Sequence, residues 1–280
     1  MNIVFLSGKG GTGKTTVSTN LAYLNEFNYY DCDVEEPNGH IFLKPNINKK
    51  EKSGILNPEI DHEKCTLCGA CSKNCQFGAL ANTGKNIMVF NELCHGCGTC
   101  KLSCNFDAIE EKKRTIGYIE SGRYKKGKFV RGILNLKEPI AVPVIQDVKN
   151  RIDFNKNNII DSPPGTSCTV VETLEDTDFA VLVTEPTEFG LSDLKMAINV
   201  VETMEIPFGV VINRSTNDDY IIESYLNKNK YNLIGKIPYS MKAAKLYSKG
   251  KLMIEDSELK SHFKKVNDEL IKQVKLNGKI

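Results

Sequence analysis

The sequence predicts an α/β chain: a doubly wound, mostly parallel sheet with helices on both faces, interrupted by a small cysteine-rich α+β module. Three observations predict it. Short apolar stretches alternate with helical patterns from about residue 137 onward, as expected of parallel strands joined by crossover helices. A glycine-rich loop, residues 8–15, lies between an apolar strand and a helix pattern near the start of the chain. Eight of the ten cysteines fall within the 40 residues from Cys65 to Cys104.

The bulk properties narrow the choice. At 280 residues the chain has room for two domains. With 40% hydrophobic and 26% charged residues it is neither disordered nor fibrous. A formal charge of +2 gives no general drive toward nucleic acid. No apolar run approaches the roughly 20 residues needed to cross a bilayer, so no membrane span is expected. The apolar stretch Ile3 to Leu6 meets Gly8, Lys9, Gly10 and Gly11 at once, leaving no room for a signal-peptide core. A cytoplasmic location is the expectation.

The elements follow in order. Ile3–Leu6 reads as a strand, and Val17, Leu21 and Leu24 mark one side of a helix ending near Asn25. Asp31, Cys32 and Asp33 end a second short strand. Only fourteen residues separate Thr16 from Asp31, so that edge of the core is expected to be thin. Later strands are expected at Ile140–Ile145, Asn158–Asp161, Phe179–Thr184, Phe208–Asn213 and Leu233–Ile237. Helices are expected at Gly190–Met204, Asp219–Asn229 and Glu258–Lys275. The basic stretch 112–131, with Gly122 and Gly127, reads as a hairpin or loop facing solvent, or as a dock for an acidic redox partner. The apolar stripe of the last helix, Phe263, Val266, Leu270 and Val274, reads as packing on the sheet.

The loop Gly8, Lys9, Gly10, Gly11, Thr12, Gly13, Lys14, Thr15, Thr16 fits the pattern Gly-x4-Gly-Lys-Thr, which cradles phosphate. Its glycines let successive N–H groups converge at a helix N-terminus. Lys14 is expected at the β/γ-phosphates and Thr15 on Mg²⁺. Asp161 ends an apolar strand, and Asp31 and Asp33 end another. One of these acids could sit in the Mg²⁺ shell and another could orient water.

The cysteines form two runs, Cys65, Cys68, Cys71, Cys75 and Cys94, Cys97, Cys100, Cys104, offset by 29 residues. Gly69, Phe77 and Ala79 recur as Gly98, Phe106 and Ala108, which marks an internal duplication. Soft thiolates at this spacing suit two [4Fe–4S] clusters, with the fourth cysteine of each run ligating the other cluster. The expected sets are Cys65, Cys68, Cys71, Cys104 and Cys94, Cys97, Cys100, Cys75. Zinc, which favours pairs of Cys-x2-Cys with longer gaps, fits poorly. Gln76 and Asn105 stand where such runs usually carry proline, adding donors near sulfur and an expectation of raised potential. Cys32 reads as a buried small hydrophobe. Cys168, in the segment after Asp161, is a weak additional ligand candidate.

Two resemblances follow from these residues. Residues 59–111 resemble a bacterial two-cluster ferredoxin. Residues 1–46 and 137–280 resemble the MinD/ParA-type P-loop ATPases, which include the nitrogenase iron protein and the Mrp-type iron–sulfur carriers. The deviant loop with its extra Lys9, the acidic motif Asp31 to Asn38, the segment Asp161 to Gly165, and the strand ends Val183–Thr187 and Val211–Arg214 carry that resemblance. It implies a P-loop NTPase-type domain, 1–58 and 112–280, with a ferredoxin-like module, 59–111, inserted. It further implies ATP/ADP and Mg²⁺ as ligands and a homodimer in which Lys9 reaches the partner's nucleotide. Asp33 and Asp161 would act on water and metal, with Asn213 and Arg214 at the base. Guanine is disfavoured because Thr216 stands where a guanine reader needs a carboxylate, although Asp218 and Asp219 lie close. The function implied is nucleotide-controlled electron transfer to an unidentified redox protein. The alternative is delivery of a cluster or metallocofactor to an acceptor protein. The Mrp-type carriers share a cluster through a late Cys-x-x-Cys, whereas this chain has no cysteine after Cys168.

Overall fold

In the computed structural model, which describes residues 1–277, the chain divides into two compact units. The last three positions of the 112–280 range lie outside the described residues. One unit comprises Met1–Lys50, Ile119–Ile133 and the chain from Ile145 onward; the other comprises Glu51–Tyr118 and Leu134–Val144.

The strands are β1 (Asn2–Leu6), β2 (Asn28–Asp31), β3 (Asn46–Ile60), β4 (Leu80–Asn82), β5 (Ile87–Val89), β6 (Ile109–Tyr124), β7 (Gly127–Leu134), β8 (Asn158–Asp161), β9 (Phe179–Thr184), β10 (Phe208–Ser215) and β11 (Leu233–Pro238). The helices are α1 (Lys14–Asn25), α2 (Gly39–Leu43), α3 (Ala70–Asn74), α4 (Thr99–Leu102), α5 (Val142–Lys149), α6 (Cys168–Leu174), α7 (Glu188–Thr203), α8 (Tyr220–Asn229), α9 (Met241–Tyr247) and α10 (Ser257–Asn277). Nine strands form one sheet in the order β11-β10-β9-β1-β8-β2-β7-β6-β3. The pairs from β11 through β7 are parallel. No helix among the described residues is long and apolar enough to cross a membrane.

The sheet centre is as dry as a parallel sheet requires. Ile3, Val4, Phe5 and Leu6 of β1 are fully buried between β8 and β9. α10 lays Leu259, Phe263, Val266, Leu270 and Val274 into the same core that holds Ile3, Phe5 and Val211. α7 is capped by Thr187, whose Oγ1 accepts from Gly190 N at 2.9 Å.

Two expectations are corrected and one choice is settled. Ile140–Ile145 is not a strand: α5 begins at Val142 and buries Val144, Ile145 and Val148. A six-residue apolar run carries no period that separates strand from buried helix, and Pro143 is tolerated in a first helical turn. The β2 edge is not thin: Tyr29, Tyr30 and Asp31 are fully buried because β7 pairs beyond them. Of the two readings of the basic stretch, hairpin or loop, the structure shows the hairpin. The stretch forms the end of β6 and the start of β7, joined by a turn at Lys125. Several of its charges are partnered: Arg131 with Glu120 at 2.7 Å, Arg114 with Glu138, and Lys125 over the Tyr23 ring at 3.6 Å.

In the cysteine-bearing unit, β4 and β5 form a short antiparallel pair. Gly69 and Gly98, 29 positions apart, both precede a short helix with positive φ (76° and 73°), so the duplication extends to the backbone. Asn74 donates to the hydroxyl of Ser103, its equivalent in the second half, at 3.0 Å. The apolar core here is small: Cys71, Ala79, Leu80, Ile87, Cys94, Cys100 and Ile109.

Candidate nucleotide site and cysteine cavities

Beyond β1 the chain turns through Gly11 and Gly13, both at φ +87°, into α1. At Gly13 a Cβ would sit 2.1 Å from Asn213 Nδ2, and at Gly8 it would sit 2.2 Å from Asp193 O. Side chains are excluded there because the loop is packed against the ends of β10 and α7. Asn213 Nδ2 donates to Thr12 O at 2.7 Å and so braces the loop. The loop opens onto a cavity of about 470 Å³, lined by Gly10 to Thr16, Asp33, Pro164, Asn213 and Arg214. Backbone N–H groups at the start of α1 favour an anion in that space.

Behind the loop sits one lysine among three carboxylates. Lys14 Nζ donates to Asp161 Oδ1 at 2.9 Å. Asp161 Oδ2 accepts from Thr15 Oγ1 at 2.6 Å and from Tyr29 OH at 3.0 Å. Asp31 accepts from Gly39 N at 2.9 Å and Asp33 N at 3.3 Å, and thereby holds the loop that carries Asp33. Burial, then the Asp161 charge, push the Asp31 carboxyl well above its ordinary value. Burial also lifts Asp33 to about 6, with Lys14 opposing and Asp161 adding. Burial is the largest influence on Lys14 and works against its charge, yet Asp161, Asp33 and Asp31 together hold the ammonium above its usual value. The excess of negative charge suits a cation. A hydroxyl and a carboxylate 2.6 Å apart beside a phosphate-sized space fit Mg²⁺, which takes one or two protein oxygens and completes its shell with phosphate and water.

Other expected residues lie around this centre. Lys9 is not among the cavity-lining residues; its Nζ lies 3.6 Å from Asp193 Oδ2 and 5.9 Å from the Phe189 ring. Arg214, at φ +54°, pairs with Glu185 at 2.7 Å. Asp219 is occupied by Ser215 Oγ at 2.7 Å and Lys236 at 2.9 Å, so it is not free to read a base. Cys32 is fully buried and burial raises its thiol, while Cys168 opens α6 and is exposed. Pro238, Tyr239, Ser240 and Tyr247 also line the cavity. The sequence reading missed them. The available signal was Pro238, which ends an apolar strand at the carboxyl edge of the sheet, where ligands bind.

The eight clustered cysteines divide between two small cavities, each about 20 Å³ against about 470 Å³ for the nucleotide cavity. Cys65, Cys68, Cys71 and Cys104 line one; Cys94, Cys97, Cys100 and Cys75 line the other. Among the described residues no three His, Cys, Asp or Glu side chains are grouped tightly enough to hold a single metal ion. The sulfurs ring a space rather than a point. Ile60, Ile87 and Ile109 wall the first cavity, and Leu56, Phe77 and Leu80 the second. The amides that reach the fourth cysteines are those of Ala79, at 3.3 Å from Cys75 Sγ, and Ala108, at 3.4 Å from Cys104 Sγ. Gln76 and Asn105 are exposed. In the second cavity Cys97 Sγ lies 3.3 Å from Thr99 Oγ1, a contact that lowers the Cys97 thiol, and His95 stacks on Phe77 with centroids 3.7 Å apart. The equivalent positions in the first half are Ala70 and Thr66.

Comparisons with known proteins agree with this architecture. An uncharacterized protein of Methanocaldococcus jannaschii is 33% identical over 279 residues, covering 97% of this chain and 98% of its own. A Pyrococcus horikoshii protein named iron–sulfur cluster carrier protein is 26% identical over 300 aligned residues, 98% of this chain and 86% of its own. The structure of septum site-determining protein MinD with Mg-ADP, from P. horikoshii, superposes with TM-score 0.61 at 18% identity, covering 100% of this chain and 99% of that one. That likeness shows the fold. The CobQ/CobB/MinD/ParA nucleotide binding domain matches residues 3–253, and the chain belongs to that family.

Proposed function

We propose that this chain is an ATP-binding and ATP-hydrolysing iron–sulfur protein in which nucleotide state governs electron delivery from two [4Fe–4S] clusters. One observation carries the reading: each cysteine cavity is ringed by three cysteines of one run and the fourth of the other. That crossing is what the x2-x2-x3 spacing of a two-cluster module requires. In this reading residues 59–111 are a ferredoxin-like insert in an ATPase domain formed by 1–58 and 112–280. When bound, the clusters supply one-electron redox chemistry, and the apolar walls limit water around them.

On the nucleotide side, Lys14 engages the β/γ-phosphates, while Thr15 and Asp161 hold Mg²⁺. Asp33 orients the water that attacks the γ-phosphorus, with ADP as leaving group. Asn213 and Arg214 face the base. Lys9 lies outside the cavity of its own chain, which supports a homodimer in which it reaches the partner's nucleotide.

A second reading, delivery of a cluster to an acceptor, is favoured by the name of the relatives at 26–27% identity. Resident clusters are favoured by four sulfurs per cavity from a single chain and by the lack of cysteine after Cys168. The test is anaerobic reduction followed by incubation with candidate acceptors, with and without ATP. ATP-dependent reduction of the acceptor with about eight iron retained per chain supports the first reading. Loss of iron to the acceptor supports the second. Material with neither a paramagnetic signal after dithionite nor affinity for ATP overturns both.

A further inference from the structure

Asp161 is fully buried and accepts three hydrogen bonds, from Lys14, Thr15 and Tyr29. Two of these donors belong to the phosphate loop and have other work once a nucleotide arrives. Lys14, with three donors, would also serve phosphate, and Thr15, with a proton and two lone pairs, would also serve the cation. The Tyr29 phenol has no such second duty. Its hydroxyl stands 3.0 Å from Asp161 Oδ2 and 3.1 Å from Ser18 Oγ, and its ring stacks on Phe129 at 5.8 Å and 7°. Tyr29 is itself fully buried and lies two residues before Asp31 on the same face of β2. Asp31, which pairs in register with Asp161 across β2 and β8, adds a second buried carboxyl group. A buried carboxylate beside another carboxyl group needs hydrogen-bond donors to satisfy its oxygens and fix its orientation.

We propose that Tyr29 is a positioning residue for the Mg²⁺ site: it holds the Asp161 carboxylate in its orientation when Lys14 and Thr15 also serve the nucleotide. The phenol gives its single proton to Asp161. Ser18, on the first helical turns of α1, fixes the phenol oxygen from the other side. Its own proton has two acceptors within reach, that oxygen and Thr15 O, each at 3.1 Å. The inference rests on Thr15 and Asp161 being the Mg²⁺ pair and is independent of the cysteine cavities.

The test is fluorescent-ATP binding to the wild type, Tyr29→Phe and Ser18→Ala, each titrated with Mg²⁺ and repeated in chelator. Phenylalanine keeps the ring stack and removes only the hydroxyl. The expected result is chelator-arm affinity within twofold of wild type and a Mg²⁺ half-saturation raised about tenfold, the worth of one hydrogen bond to a charged group. Ser18→Ala, which leaves the phenol in place, should raise it about threefold. It carries the test alone if Tyr29→Phe does not fold. An unchanged Mg²⁺ half-saturation overturns the proposal, and so does an equal loss in both arms, which marks a packing defect. A wild type with no Mg²⁺ dependence overturns the Mg²⁺ pair and the proposal together. None of these outcomes touches the cluster reading, since iron plays no part in the readout.

Discussion

Replacing Asp33 with asparagine should stabilise the nucleotide-free protein, by an amount that depends on pH. Asp33 is raised from 3.8 to about 6, mainly by burial. The native chain therefore keeps that proton to about pH 6, whereas the unfolded chain releases it near 3.8. Between those values the native state binds more protons, so stability falls as pH rises through the window. A shift of about two units corresponds to about 3 kcal/mol, and the partial exposure of Asp33 trims this to about 2 kcal/mol. Asparagine is neutral throughout. The variant should match wild type below about pH 4 and exceed it by about 2 kcal/mol at pH 8, on the order of 5 °C in Tm. Hydrolysis should fall in the same variant, as expected where a strained acid serves function. Thermal melts from pH 4 to 8 without nucleotide give the difference directly. A difference that is flat across that range refutes the assignment of strain to the Asp33 carboxylate.

Three further outcomes are expected. Lys14→Ala should abolish ATP binding and lower nucleotide-free stability by about 3 kcal/mol, read by urea melts, because Asp161 stays fully buried without its cation. Thr99→Ala should lower one of two midpoint potentials by about 59 mV, a tenfold change for one electron, in a redox titration followed by paramagnetic resonance. The reason is that the Thr99 hydroxyl becomes the donor to Cys97 once that sulfur is a thiolate. The pair Cys71→Ser and Cys104→Ser lies in one cavity and should leave about four iron per chain. The pair Cys71→Ser and Cys75→Ser lies in one run but in two cavities, and should disturb both; iron assay and spectra decide.

What was legible in the sequence was whatever is required locally. A phosphate loop needs glycine at Gly11 and Gly13 because the backbone turns through positive φ there, so its pattern survives any change elsewhere. The cysteine spacing likewise states its partners. The long strands β3 and β6 were not legible, since Asn48–Lys52 and Glu110–Arg114 are polar on both faces and show no alternation. Tyr29, Tyr239 and Tyr247 were missed for a different reason. Tyr29 is an ordinary strand tyrosine, Tyr247 a helix tyrosine and Tyr239 a connecting residue, and only the tertiary fold brings them to Asp161 or to the cavity.

The same geometry says where nucleotide must be felt. Lys14 has three donors and Thr15 a proton and two lone pairs, so both would divide their bonding between Asp161 and a bound phosphate and cation. Asp161 ends β8, and the next residues lead through Ser162 to Gly165, whose N–H bonds Ser7 O at 3.0 Å, and then to α6. On the other side, Asp31 ties the Asp33 loop at both Asp33 and Gly39, beside the same lysine. Filling the cavity therefore changes the charge balance of three carboxylates at once, and both segments that carry them begin at neighbouring strand ends. If the ligand is ATP, as proposed, its γ-phosphate adds charge where ADP adds none, and those two segments would be the ones to respond.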